Sequence, residues 1–202
     1  MSEAVYPLLG LSRHRMGIDG EGVTTLIAGA GCTLSCAYCI NKRLLAEKKP
    51  KPVTARELYE RVKVDDLYFR ATNGGVTFGG GESLLHAEFI SEFRKLCPWT
   101  INAETSLNVP SENVRLAAES VNRFIVDCKT LDPAVYFRYT GGEEAVFEDN
   151  LRLLLSLAGS DRITVRVPVI PGYADAESQK KSAEKLREMG VKSLDLFNYV
   201  IK

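Results

Sequence analysis

Three thiols fall within eight residues of this chain, Cys32, Cys36 and Cys39, in a C-x3-C-x2-C pattern. Two more, Cys97 and Cys128, stand alone, and five is an odd count for a disulfide framework. Clustered thiols in a reducing compartment point instead to metal ligation or redox chemistry. Three thiolates can wrap one centre but leave a tetrahedral site one ligand short. His14 and His86 are distant in sequence, and Cys97 follows a helical pattern. A structural zinc is closed by four protein ligands, so three leave an open position. A cubane iron–sulfur cluster normally takes four thiolates, and with three one iron stays free for an outside chelator. A three-cysteine zinc site is the alternative on these residues alone. Cys97 and Cys128 read as small buried hydrophobes, and the two histidines as structural or solvated.

Elements that could position the thiols alternate along the chain. Short β-type runs are expected at Gly22 to Ala30, Val76 to Phe78, Thr100 to Thr105, Arg123 to Cys128, Ile163 to Ile170 and Ser193 to Tyr199. Helical patterns lie between them: a capping box at Thr54 and Glu57, Leu84 to Leu96, a helix capped by Ser111, helical material broken at Gly141-Gly142, Phe147 to Leu157, and Ala176 to Met189 stopped by Gly190. Strict alternation implies right-handed crossovers and a parallel sheet. The expected fold is α/β, a partial (β/α)6 TIM-like barrel, with residues 1–202 as one domain. In such folds chemistry collects at the carboxyl ends of strands. The thiols follow the first strand, Gly79-Gly80-Gly81-Glu82 the second, Glu104-Thr105 the third and Asp127-Cys128-Lys129 the fourth. Arg166 lies within the fifth, which ends at Pro171-Gly172.

Composition sets the limits. The 202 residues carry 26 basic and 26 acidic side chains and are 45% hydrophobic. Zero formal net charge argues against nucleic-acid binding, which needs basic surface to displace counterions. The longest apolar stretches, such as Leu151 to Ala158, are far short of the roughly 20 residues of a membrane span. No secretory signal is visible at the start, so the expected compartment is the cytoplasm. The basic run Ala46 to Pro52 reads as a solvated loop.

With Tyr38 before the last cysteine, the cysteine motif resembles the signature of the radical S-adenosylmethionine (SAM) enzymes. Gly20-x-Gly22, Gly31 with the cysteines and Asn41, Gly74 to Glu82, Tyr139-Thr140-Gly141 and Arg166 to Asp175 are similar to the glycyl-radical-enzyme activases within them. That resemblance implies a [4Fe-4S] cluster on Cys32, Cys36 and Cys39, whose open iron binds S-adenosylmethionine and whose reduction releases a 5′-deoxyadenosyl radical. It implies cofactor-binding roles for Tyr38, Gly80, Gly81, Glu82, Glu104, Asp127, Lys129 and Arg166. Lys129 and Arg166 take a direct part by balancing the cofactor carboxylate, and a monovalent cation sits near Glu104 and Asp127. The implied partners are a glycyl radical enzyme as protein substrate and a flavodoxin- or ferredoxin-like electron donor in an anaerobic setting. Thr24, Ala28, Ile40, Glu104 and the Asn198-Tyr199-Val200 segment depart from the activase pattern. They leave open a radical SAM enzyme acting on a small metabolite or peptide.

Overall fold

The computed structural model describes residues 4–199. Its core is one eight-stranded sheet in the order β3-β1-β2-β4-β5-β6-β7-β8. The strands are β1 (Tyr6–Met16), β2 (Val23–Gly29), β3 (Lys51–Val53), β4 (Gly75–Gly80), β5 (Thr100–Thr105), β6 (Arg123–Asp127), β7 (Ile163–Val169) and β8 (Ser193–Asn198). The helices are α1 (Lys42–Glu47), α2 (Ala55–Val62), α3 (Asp66–Thr72), α4 (Ala87–Arg94), α5 (Ser111–Ser120), α6 (Pro133–Thr140), α7 (Glu144–Ala158) and α8 (Ala176–Glu188).

The six expected strands are β2 and β4 to β8, all parallel and joined through helices. The fold is therefore the partial β/α barrel that the alternation implied. Two antiparallel strands extend it, β1 against β2 and β3 against β1, and the periodicity had not disclosed them. β1 turns from apolar at Leu8 and Leu9 to charged at Arg13, His14 and Arg15, which blurs any period. β3 is three residues with a central proline, a composition confined to sheet edges.

Helix ends follow local chemistry. Thr54 and Glu57 form the expected capping box at 2.8 and 3.2 Å. The Leu84 to Leu96 pattern splits into a 3-10 turn at Ser83–His86 followed by α4. Ser111 is the first residue of α5, not its cap; Pro110 holds that position. Gly141 ends α6 at φ +73°.

Register sorts the parallel strands into two faces, because alternate residues point oppositely. Ile27, Phe78, Ala103 and Phe124 form one paired row, and Val126 and Val165 continue the same face. All six are fully or almost fully buried in the core shared with the helices. The opposite face carries Thr24, Thr77, Asn102, Glu104, Asp127, Arg166 and Asp195. Parallel sheets are usually apolar on both sides. This second face is instead partly polar.

Candidate cofactor and metal site

The three cysteines occupy the loop that leaves β2 and ends at α1. Its backbone is clamped from several directions. The Ser35 and Ala37 amides donate to the Thr140 and Tyr139 carbonyls at 2.8 and 2.9 Å, so the last turn of α6 supplies acceptors that a helix end would otherwise leave unpaired. A Cβ on Gly142 would collide with Leu34, so chain beyond α6 lies directly against the loop. Asn41 Nδ2 donates to the Gly80 carbonyl at 2.8 Å, His86 meets the Ala30 carbonyl at 2.9 Å, and the Tyr199 hydroxyl donates to the Tyr38 carbonyl. The Tyr139-Thr140-Gly141 motif thus acts as a cradle for the cysteines. Sequence alone showed a helix break and a motif similar to the activases there, but not its contact with the cysteine loop.

Cys32 is exposed, Cys36 and Cys39 are half-buried, and all three are free thiols. Burial pushes the Cys32 and Cys36 thiols up, while Lys129 pulls both down. Cys97 and Cys128 lie in the helix-side core, as expected of small hydrophobes. Among the described residues no three His, Cys, Asp or Glu side chains gather around one point as they would around a single metal ion.

Gly79, Gly80 and Gly81 are required by close approach. A Cβ on Gly81 would strike the Gly31 carbonyl, one on Gly80 would reach 3.0 Å from Ala28, and one on Gly79 would stand 2.5 Å from Glu104 Oε2. Gly80 is also at φ +91°, a conformation open chiefly to glycine. The Gly81 and Glu82 amides bond to the Gly29 and Gly31 carbonyls at 3.1 and 2.8 Å, which locks this turn to the root of the cysteine loop. Glu82 is only 2% exposed. Its carboxylate accepts from the Leu84 and Ser106 amides and from the Thr105 and Ser106 hydroxyls, at 2.6 to 3.1 Å. The structure places Glu82 as a strut between the ends of β4 and β5.

Two ion pairs hold the charged rim. Arg166 Nη1 is 3.0 Å from Glu104 Oε1, and its Nη2 donates to the Ile18 carbonyl at 2.6 Å. Lys129 Nζ is 3.2 Å from Asp127 Oδ2. Burial lifts the Glu104 carboxyl above its ordinary value against the pull of Arg166. For Lys129 burial works against the charge, but Asp127, then Cys36 and Tyr139, outweigh it, and the ammonium is held more tightly than in water. Both carboxylates of the expected cation position therefore face a cation of the protein.

Below this rim, residues 17–22 cross the polar face. Thr77 donates to the Asp19 carbonyl at 2.6 Å, and buried Asp19 pairs with Arg15. Gly20, at φ +139°, passes where a Cβ would lie 2.5 Å from Asn102 Nδ2. That is the physical reason for the first glycine of Gly20-x-Gly22. Above the rim, Tyr38 packs with Tyr139, Tyr173 and Tyr199 at ring separations of 5.6 to 6.2 Å. Tyr173 and Tyr199 went unnoticed in the sequence as neighbours of Tyr38, since residues up to 161 apart carry no local signal of meeting, and the Arg15–Asp19 pair went unnoticed inside the irregular pattern of β1 and the turn after it. Val200 lies outside the described residues.

A barrel that gathers three thiols and two carboxylate–cation pairs at the carboxyl edge of its parallel strands belongs to the class of enzymes that work through a bound centre and cofactor. Residues 26–181 match the radical SAM superfamily, and the chain belongs to that superfamily. It is 28% identical over 187 residues to the pyruvate formate-lyase-activating enzyme of Clostridium pasteurianum, covering 90% of this chain and 77% of that one. It is 30% identical over 128 residues to the indoleacetate decarboxylase activating enzyme of Tractidigestivibacter scatoligenes, spanning 62% of this chain and only 40% of that protein. A solved domain of a pyruvate-formate lyase-activating enzyme from Bacteroides vulgatus superposes on 62% of the chain, and on 81% of its own, with TM-score 0.54 and 29% identity. Among the described residues no helix is long and apolar enough to cross a membrane.

Proposed function

We propose that the protein is a radical SAM activase that installs a radical on a glycine of a partner enzyme. The observation that carries this reading is the three-thiol loop, cradled at the carboxyl edge of the sheet with no fourth cysteine or histidine beside it in the sequence. Similarity to activating enzymes over most of the chain supports it. Cys32, Cys36 and Cys39 would hold a [4Fe-4S] cluster, and Tyr38, within the same loop, would lie beside it. When bound there, the cluster would supply the one-electron reduction of the sulfonium of S-adenosylmethionine that starts hydrogen abstraction from the glycine.

The chain's own residues bind, orient and seal. Lys129 and Arg166 present fixed positive charge to the cofactor carboxylate, each already positioned by a carboxylate partner. Gly80 and Gly81 let backbone come close to the cofactor amino group, and Glu82 holds that turn rigid. Asp127 and Glu104 set the charge balance of the rim, with a monovalent cation near them in the activase reading. The 17–22 segment crosses the polar face and braces it through Thr77 and Arg166, which donate to the Asp19 and Ile18 carbonyls. The partner enzyme's glycine loop would enter from the open polar face.

Anaerobic incubation of the reconstituted, reduced protein with S-adenosylmethionine and a glycyl radical enzyme encoded beside it tests the reading. The expected result is a glycine-centred doublet in electron paramagnetic resonance. Formation of 5′-deoxyadenosine with no such doublet on any candidate partner would turn the assignment to a metabolite or peptide substrate.

A further inference from the structure

We propose that the exposed basic ridge following the cysteine loop, Lys42, Arg43, Lys48, Lys49 and Lys51, is the docking surface for an acidic one-electron carrier protein. The inference rests on the radical SAM reading, because only a reducible centre on the three thiols needs such a partner.

Within ten residues the ridge holds four lysines and one arginine against one glutamate, in a chain whose basic and acidic residues balance at 26 each. Every one of these basic side chains is exposed. Arg43 is matched by Glu47 at 2.9 Å. Lys42, Lys48, Lys49 and Lys51 pair with no carboxylate among the described residues, although helices α3, α7 and α8 each carry an ion pair one turn apart. Lysine on β3 also guards a sheet edge against pairing, which accounts for Lys51 but not for the other three. The ridge is physically continuous with the thiols. The Lys42 amide donates to the Cys39 carbonyl at 3.1 Å, and Ile40, next to the last thiol, is 87% exposed.

Position selects the partner. The ridge lies on the β3–β1 side of the loop, whereas Glu104, Asp127 and Arg166 lie across it on β5, β6 and β7. A carrier seated on the ridge leaves the polar face free for cofactor and protein substrate. Carriers of the flavin and iron–sulfur classes surround their redox groups with carboxylates. Opposite charge steers their encounter, and a small surface suffices, since transient redox complexes bury under about 1,200 Å². In the step itself the carrier is oxidised by one electron and the cysteine-bound centre is reduced by one; no bond forms or breaks.

The test is charge reversal, Lys48→Glu, Lys49→Glu and Lys51→Glu together, with the three glutamine substitutions as a milder set. These positions lie outside the thiols and the rim. Association of a flavodoxin with the reconstituted protein would be followed by surface plasmon resonance from low to high salt. Reduction of the centre would be followed by its visible bleaching, with flavodoxin hydroquinone or with dithionite. We expect the reversal to slow flavodoxin association and reduction by about tenfold at low salt and to flatten the salt dependence, with the glutamine set intermediate. Dithionite bleaching and S-adenosylmethionine cleavage should stay at the parent level. Unchanged flavodoxin association overturns the proposal, as does a loss of glycyl radical formation under dithionite, which would assign the ridge to the protein substrate. Absence of dithionite-driven cleavage in the parent would instead sink the radical SAM reading itself.

Discussion

Cys36 and Cys128 show how differently one side-chain type can be used. Cys36 is half-buried on a loop whose amides are clamped by α6, while Cys128 is sealed beneath the helices. Cys36→Ala is expected to abolish iron loading, measured as iron and sulfide per chain after anaerobic reconstitution. Cys128→Ala should keep full loading and cost about 1 kcal/mol of stability through the small cavity it leaves. Iron retained by the first variant would refute the ligand assignment. Gly81→Ala makes a sharper test of the strand-end turn. Its new methyl would push on the Gly31 carbonyl at the root of the cysteine loop, so both stability, by about 1–3 kcal/mol, and iron loading should fall. The cysteine trio, Asp127, Lys129 and Arg166 were legible as chemistry because charged or thiol groups at apolar strand ends are conspicuous. The strut role of Glu82 was not, because all its partners beyond Leu84 come from the next strand and its loop.

Elements follow local rules wherever the rule is local. The capping box on α2 formed as its spacing demanded, and Thr54→Ala should lower stability by about 1 kcal/mol in urea unfolding, with iron loading untouched. The six parallel strands were legible because each is a short run of strand-forming residues alternating with helical patterns. β1 and β3 escaped notice for opposite reasons: β1 mixes apolar and charged residues without a period, and β3 is too short to have one. The Ser111 cap failed because Pro110 already fixes the entry to α5, leaving the serine inside the helix.

The whole molecule stores protons that its unfolded chain would release in mild alkali. Burial pushes the Cys97 thiol up to about 11 and raises Cys128, Tyr6 and Tyr136 further. Lys129 is raised as well, its carboxylate neighbour overcoming the effect of burial. In each case the folded pKa exceeds the unfolded one, so the folded state binds more protons once pH passes the ordinary thiol and phenol values near 8.5 and 10. Stability from these groups is complete below about pH 8 and is lost as pH rises, by up to about 1.4 kcal/mol per pH unit for each group in its window. Urea unfolding of the cluster-free chain should show a free energy that is flat from pH 7 to 8 and falls steeply beyond 9. A free energy constant to pH 10 would contradict the burial assigned to these side chains.

The order of residues determined by itself the alternation of strands and helices, the trio of thiols and the charged groups at strand ends, since period, capping and composition act over a few neighbours. Only the folded chain decided that the α6 carboxyl end would grip the cysteine loop, that Arg166 would face Glu104, and that residues 17–22 would floor the polar face. Those contacts join segments 58 to 148 residues apart. Their energy exists only after the sheet has brought the segments together.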